Sequence, residues 1–511
     1  MVTPLMRLCP REYILAEMKS NALPIIVILV IGGFYLSTIR EGHEWGDFSL
    51  YVHHAKNIAE GIPYNDTGYI YNPSFPYVGP RTYPPLFPLL LSPIYRWFGL
   101  NLQPMKVELT LFFIASLVII CLVFREDLAN YHLAALVAVV GLNPFFWDFK
   151  DKVLSDIPFL FFTYLAIFLA NRARQSKPSG RRHTRQAVLL GVSIYLCYAT
   201  RTVGILLLPS LLAYDMIKTK RPSRLTLIAI LSFLPFMIAQ NLLIHGDYGY
   251  LDQLTTDPRI IYRNAIRYAG YLSEFWDNGY SAELRTALSV MLSGSAIVGY
   301  VGRIKKKLTI LDIFPLFYVA SIIVVARDQG ARYLIPLVPS FVFYAFVGIM
   351  NINRLQRKGL EGLVCTALIG AILVSYSARY TKMDFGPIRT GMAKKETIDL
   401  FDYVKKATDE RDIFIFRKPR ELSLYTGRRA SVFHRPRNPH DLWNYLHHIN
   451  ATYVVVGPEK QPPEKWSYLR LFVNFYRDNF QEVYFNTDFQ IYRMIGISRP
   501  GGSEPIAQKA G

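Results

Sequence analysis

Cysteine and acid are both scarce in this chain of 511 residues. The four Cys are Cys9, Cys121, Cys197 and Cys365. They lie far apart, with no Cys-x-x-Cys, which argues against a disulfide scaffold, a zinc ribbon, a thioredoxin-like centre and c-haem attachment. There is no Gly-x-Gly-x-x-Gly and no Walker A loop, so a nucleotide site is not supported. The N-terminal apolar run has no small-residue cleavage site after it and reads as a retained span. Acids number 38 against 57 Lys plus Arg, a formal charge of +19. Disorder and a collagen-like chain are excluded by the 14% aromatic content. The hydrophobic fraction of 51% counts 34 Tyr and omits 32 Gly. Counted in the usual way it is roughly 50%, the top of the soluble range, so composition alone does not reveal a membrane protein.

Distribution does. Apolar runs occupy 22–39, 107–124, 134–146, 157–170, 187–199, 203–213, 225–244, 287–301, 308–326, 333–350 and 362–375, and then stop. Most approach the roughly 20 residues that cross hydrocarbon, and they are apolar all round where a soluble helix would carry a stripe. The expected fold class is therefore an α-helical polytopic membrane bundle of about eleven spans with a C-terminal soluble α/β domain.

Excess Lys and Arg set the orientation. Arg172, Arg174, Lys177, Arg181, Arg182 and Arg185 fall between the fourth and fifth runs with no acid among them. Lys218, Lys220, Arg221 and Arg224 form a second cluster; Arg303, Lys305, Lys306 and Lys307 a third; Arg354, Arg357 and Lys358 a fourth. Placing these in the cytoplasm with Arg7, Arg11 and Lys19 makes the spans alternate, provided 84–100 does not cross. That segment carries Pro84, Pro85, Pro88, Pro93 and Arg96 and reads as a broken helix along the outer face. The alternative is a twelfth span, with another run not crossing. The large loops 40–106, 148–156 and 245–283 and the tail from 378 then all face outward, so the chemistry is expected there.

The domain division expected is 1–377, a transmembrane catalytic domain with its first outer loop at 40–106, and 378–511, an outward α/β domain. Helix and strand signals alternate through the tail: 396–407, 412–416, 420–425, 431–433, 441–449, 452–456, 465–479 and two closing strands. After Arg499 the chain reads as a loose end.

Asp47 lies just past the first span and opens an amphipathic helix carrying Tyr51, Ala55 and Ile58. It is either a helix-capping acid or a carboxylate general base at the membrane edge. Asp156, in Ser-Asp-Ile-Pro-Phe, has good capping grammar and gains interest as a second acid at the same mouth. Arg81, Arg201 and Arg332 face the same side; guanidinium matches phosphate bidentately, although snorkelling is the plainer role. Arg327 is a weaker candidate, with Asp328 beside it. His43, His53 and His54 suggest a metal, but helix neighbours point about 100° apart, which disfavours a paired site. The sequons at Asn65 and Asn450 are near chance frequency. Tyr69, Tyr71, Phe75, Tyr77 and Tyr83 line the interface or stack on a sugar.

Taken in order, these pieces resemble a known family. The acid after span one, Tyr83-Pro-Pro-Leu, Ser155-Asp-Ile-Pro-Phe, Arg332-Tyr-Leu-Ile-Pro and the outward tail with Leu422-Ser-Leu-Tyr-Thr-Gly-Arg428 are similar to integral-membrane glycosyltransferases of the GT-C fold. The nearest branch is the group of protein O-mannosyltransferases, lipid A aminoarabinose transferase and lipopolysaccharide galacturonosyltransferases. The resemblance implies transfer of a sugar from a polyprenyl-phosphate donor to a lipid, glycan or protein hydroxyl, with inversion. It places the chain among membrane lipids, with no nucleic-acid partner, in the bacterial plasma membrane, its N-terminus cytoplasmic and its tail periplasmic or extracellular. Carried over by position, Asp47 is the base, Asp156 the second outer acid, and Arg81, Arg201 and Arg332 hold the donor phosphate. Glu44, His43, Tyr51 and Tyr83 are candidates for acceptor binding or support. No cofactor is expected; a divalent metal stays open, because related oligosaccharyltransferases use one. Two features depart from the family pattern. Phe48 follows Asp47 where many members have Glu, and Thr82 and Tyr83 separate Arg81 from the prolines. The rival from another class is a lipid transporter or flippase, against which the lack of an internal repeat counts; a third is an assembly subunit.

Overall fold

A computed structural model describes residues 10–175, 180–244, 253–326, 328–352, 359–457 and 467–495, without the side chains of 10–21, Tyr77 and Ser467. Arg7, Cys9, Lys177, Arg327, Arg354, Arg357, Lys358 and the end after Arg499 lie outside the described residues, as do the side chains of Arg11 and Lys19.

The chain divides into two compact units. One comprises Met1–Arg40, Gln103–Gln240 and Leu254–Gly386; the other comprises Glu41–Leu102, Asn241–Gln253 and Pro387–Gly511. Glu41–Leu102 groups with the tail, a division other than one at 377/378.

The first unit is a helical bundle, and each apolar run of the sequence lies on a helix. Among the described residues, seven helices are long and apolar enough to cross a membrane: Leu102–Phe124, Asp156–Gln175, Thr202–Thr219, Arg224–Leu243, Ala282–Lys306, Ala331–Met350 and Glu361–Tyr380. An eighth is added if Asn130–Gly141 and Pro144–Lys152, bent by 47°, form one span. Asn143 and Pro144 explain the bend: Asn143 caps the second helix through Phe145 N–H, and Pro144 supplies no donor to the first. Ala22–Ser37 and Ile310–Ile323 are shorter apolar helices, and Arg181–Thr200 opens on Arg-Arg-His-Thr-Arg. Leu29, Leu231, Leu242, Val290, Ile297 and Val374 are each at least 65% exposed on these helices. Such an apolar exterior is unfavourable in water and suited to lipid.

Small residues let helices touch. A Cβ on Gly299 would come within 1.9 Å of the Tyr344 carbonyl oxygen, and one on Gly348 within 1.9 Å of that of Ser295. Ala282–Lys306 and Val338–Met350 are thus in backbone contact, and Ser295 Oγ donates to the Ala345 carbonyl at 2.7 Å.

The second unit is built on a six-stranded sheet, β1 (Tyr69–Ile70), β2 (Ile413–Ile415), β3 (Arg429–Ser431), β4 (Tyr453–Val456), β5 (Phe480–Phe485) and β6 (Gln490–Met494), in the order β1-β3-β2-β4-β6-β5. β1, β3, β2 and β4 run parallel; β6 and β5 are antiparallel. Strands β2 and β4 are wholly buried, as expected for parallel strands covered by helices. Leu442, Leu446, Val454, Val456, Phe472 and Phe480 belong to the core. Strand β1 comes from the segment between the first helix and Leu86–Phe98: Tyr69 pairs with Ala430 and Ile70 with Ser431. Phe48–Glu60 and Leu86–Phe98 belong to this unit and pack on one another. At 13 residues, Leu86–Phe98 is shorter than a span.

Candidate active site

Asp47 occupies the N-cap position of Phe48–Glu60, yet its side chain makes no capping hydrogen bond. Its carboxylate, 33% exposed, has Oδ1 3.7 Å from Nη1 of Arg420. That distance is an electrostatic contact and not a hydrogen bond. Arg420 comes from the helix Pro419–Thr426 and is almost fully buried. Nη1 donates to the Tyr83 hydroxyl at 3.0 Å and Nη2 to the Pro80 carbonyl at 2.6 Å. The guanidinium also lies 4.9 Å from the Tyr69 ring centroid and 5.3 Å from that of Tyr83. Burial opposes its charge, but Tyr83, Tyr69 and Asp47 outweigh burial and raise its pKa. The next residue, Glu421, accepts from the Gly46 N–H at 3.0 Å. Burial pushes the Glu421 carboxyl up. The tail helix therefore holds both the backbone before Asp47 and the space beside its carboxylate.

Tyr51 and Tyr83, expected as support, stack at 4.2 Å, and Tyr51 meets Phe87 edge-on. His54 donates from Nδ1 to the Tyr64 carbonyl at 2.9 Å and accepts the Tyr83 N–H on Nε2 at 3.3 Å. Those two bonds require the neutral ring, and burial brings its pKa to about 3. His53, also buried, is lowered to about 3, with Lys56 adding to the effect. His43 lies against Phe48, its Nδ1 2.6 Å from the Glu44 carbonyl. Glu44 accepts from the Thr390 hydroxyl. Gly391, at φ +64, permits that approach: a Cβ there would fall 2.7 Å from Glu44 Cα. Among the described residues, no three His, Cys, Asp or Glu side chains gather as a metal-binding group.

Arg81, the basic residue expected before the prolines as a holder of the donor phosphate, lies over the Tyr71 ring at 5.1 Å. A cation beside Asp47 is Arg420, which the sequence does not single out. It is remote in the chain from Asp47, and Arg-Glu in an amphipathic helix resembles any solvated pair.

In the first unit, Asp156 starts Asp156–Gln175 and is buried. The preceding turn passes through Val153 at φ +44, a conformation costly for a β-branched residue. Asp156 Oδ1 accepts from Nη1 of Arg201. Arg201 lies 4.6 Å from the Tyr333 ring centroid, and Arg332 lies 5.5 Å from the same ring. Arg332 also donates to Gln329 at 3.1 Å. Two of the expected residues, Arg201 and Arg332, therefore flank Tyr333, and Asp156 is committed to Arg201. Asp328, expected beside Arg327, binds Arg267 and Tyr271, each at 2.6 Å. Another network was missed by sequence reasoning. Arg40 donates to Asp148 and Asp151, each at 2.8 Å, and buried Lys150 binds Asp151 at 2.9 Å. Arg40 follows the first helix, while Asp148, Lys150 and Asp151 end Pro144–Lys152, with no motif to link them.

No protein-family description matches the sequence, and no curated protein matches it. Solved structures do. ArnT from Cupriavidus metallidurans bound to undecaprenyl phosphate superposes with a TM-score of 0.55 at 12% identity, covering 94% of this chain and 99% of that one. The oligosaccharyltransferase AglB from Archaeoglobus fulgidus, in complex with an inhibitory peptide and a dolichol-phosphate, gives 0.57 at 11% identity, covering 95% and 75%. Both are GT-C glycosyltransferases. The chain has the GT-C fold. At these identities the likeness establishes architecture and no more. Within this GT-C chain, Asp47 begins the first helix after the N-terminal apolar helix.

Proposed function

We propose that this chain is a membrane glycosyltransferase moving a sugar from a polyprenyl-phosphate donor to a hydroxyl of a lipid, glycan or protein acceptor. The observation that carries the proposal is Asp47: an accessible carboxylate, unused as a cap, beside a buried guanidinium, in a chain with the GT-C fold. Asp47 takes the proton of the acceptor hydroxyl as its oxygen attacks the anomeric carbon. The bond from that carbon to the carrier phosphate breaks, its electron pair leaves with the phosphate, and configuration inverts. Arg201 and Arg332 stabilise the departing charge, and Arg81 remains a candidate for the donor's phosphate. Asp156 orients Arg201, which fits its commitment to that guanidinium better than a role as a second base. The bound undecaprenyl phosphate and dolichol-phosphate of the two neighbours support this donor class.

The full topology proposed is about eleven spans, with the N-terminus cytoplasmic and the 378–511 domain outside the plasma membrane. The test is transfer by purified protein from a radiolabelled polyprenyl-phosphate sugar to extracted envelope lipids, glycans and proteins. Labelled product is expected. Donor movement between leaflets without any transfer would replace the enzyme with a lipid transporter.

A further inference from the structure

The basic ends of several bundle helices converge. Leu102–Phe124, Asp156–Gln175, Thr202–Thr219 and Ala282–Lys306 contribute to a cavity of about 220 Å³. Its charged wall holds five cations, Arg125, Arg172, Arg174, Arg303 and Lys307, against two acids, Glu126 and Asp127. The acids are already engaged. Asp127 binds Arg303 and Lys307, each at 3.0 Å, and Glu126 accepts from Gln175 at 2.7 Å. Two of the cations are fixed from behind: Arg303 by Asp312 at 3.0 Å, and Arg174 by Asp215 at 2.8 Å with Tyr214 against its face. Arg174 Nε is buried and has no hydrogen-bond partner among the described residues. A buried donor left so is costly, and an incoming acceptor oxygen removes that cost. Arg125 and Arg172 are exposed and, among the described residues, have no carboxylate partner.

The wall also carries the polar side chains of Asn171, Gln175 and Thr309, together with an apolar surface from Leu122, Val123, Phe168 and Leu308. A free inorganic anion has no use for that surface, whereas an amphiphile does. We propose that the cavity binds the phosphate of an anionic phospholipid, with the lipid's apolar part against these four side chains. Arg174 and Arg303 form a rigid floor, because their aspartates hold them in place; Arg125 and Arg172 are the cations that close on the head group. None of these residues has a part in the proposed transfer, so the lipid site stands or falls apart from it.

The test uses the full chain in phosphatidylcholine nanodiscs, with phosphatidylglycerol introduced in steps and followed by native mass spectrometry and thermal unfolding. One saturable phosphatidylglycerol is expected, with a rise in Tm. Arg125→Gln with Arg172→Gln should weaken it at least tenfold; both residues are exposed, so the fold should survive. Arg174→Lys, which keeps a cation for Asp215 but removes the Nε donor, should weaken it as well. Equal retention of phosphatidylcholine, or unchanged affinity in both variants, overturns the proposal. The same Tm rise from millimolar inorganic phosphate would make this a free-anion site and overturn the lipid assignment.

Discussion

Arg420 Nη1 stands 3.7 Å from Asp47 Oδ1 and donates to the Tyr83 hydroxyl, while Nη2 donates to the Pro80 carbonyl. The guanidinium is thus fixed by neutral partners, and the carboxylate is left about one-third exposed beside it. The general base proposed at Asp47, which must meet a mobile hydroxyl, would gain from a charged neighbour that does not move.

Replacing Arg420 by Gln should destabilise the protein by about 3 kcal/mol, the scale of charge-assisted bonds lost from a buried site. Arg420→Lys should retain part of that stability, since it keeps the charge but not the fork to Tyr83 and Pro80. Transfer should fall in both variants. Thermal unfolding alongside the transfer rate checks this; a Gln variant with wild-type Tm and rate would show that the contact is idle.

Asp156→Asn leaves Arg201 partly buried without its carboxylate and should cost about 3 kcal/mol. Asp47→Asn, at a more exposed position, should cost far less. The double variant Asp156→Asn/Arg201→Gln should recover stability relative to Asp156→Asn alone while donor binding stays weak. Equal Tm values for the two single Asn variants would contradict the division of roles.

His53 and His54 predict an acid-side loss of stability. Both have folded pKa values of about 3, below the unfolded value of 6.5. The unfolded chain therefore binds the extra protons, and stability present above pH 6.5 declines as pH falls from 6.5 toward 3. Each histidine should remove about 2 kcal/mol by pH 5. In His54→Phe, which keeps a ring against Tyr64, the fall in Tm between pH 7 and pH 5 should shrink; an unchanged fall would assign it to other groups.

Gly299→Ala and Gly348→Ala should each cost at least about 2 kcal/mol, because the new methyl meets backbone oxygen. Gly294→Ala, with nothing near its Cβ position, is the control and should be neutral or slightly stabilising. Comparing detergent-solubilised Tm values distinguishes the two outcomes.

Sequence made the bundle legible because lipid selects residues that are apolar all round, a local property visible in every run from 22 to 375. The tail's larger strands and helices were legible for a similar reason, since β2 and β4 are short apolar runs between amphipathic helices. Strand β1 was not: Tyr69–Ile70 is too short for any pattern, and only its pairing with Ala430 and Ser431 makes it a strand. The same limit governs the site. Asp47 and Tyr51 belong to one helical segment and were found together. The Asp47–Arg420 contact depends on tertiary packing between segments remote in the chain, which no local spacing encodes. Asp156 is legible as an acid at a helix start, but its partner Arg201 lies in the break between two other helices, and no spacing rule links the two.

The most direct measurement is the single-turnover transfer rate of Asp47→Asn from a polyprenyl-phosphate sugar, beside wild type in the same lipid and at the same saturating donor. General-base assistance is worth about 10²–10⁴-fold. The variant should therefore lose at least about 100-fold in rate while its Tm and donor binding stay at wild-type values. An Asp47→Asn enzyme that turns over at the wild-type rate would contradict the role given to Asp47.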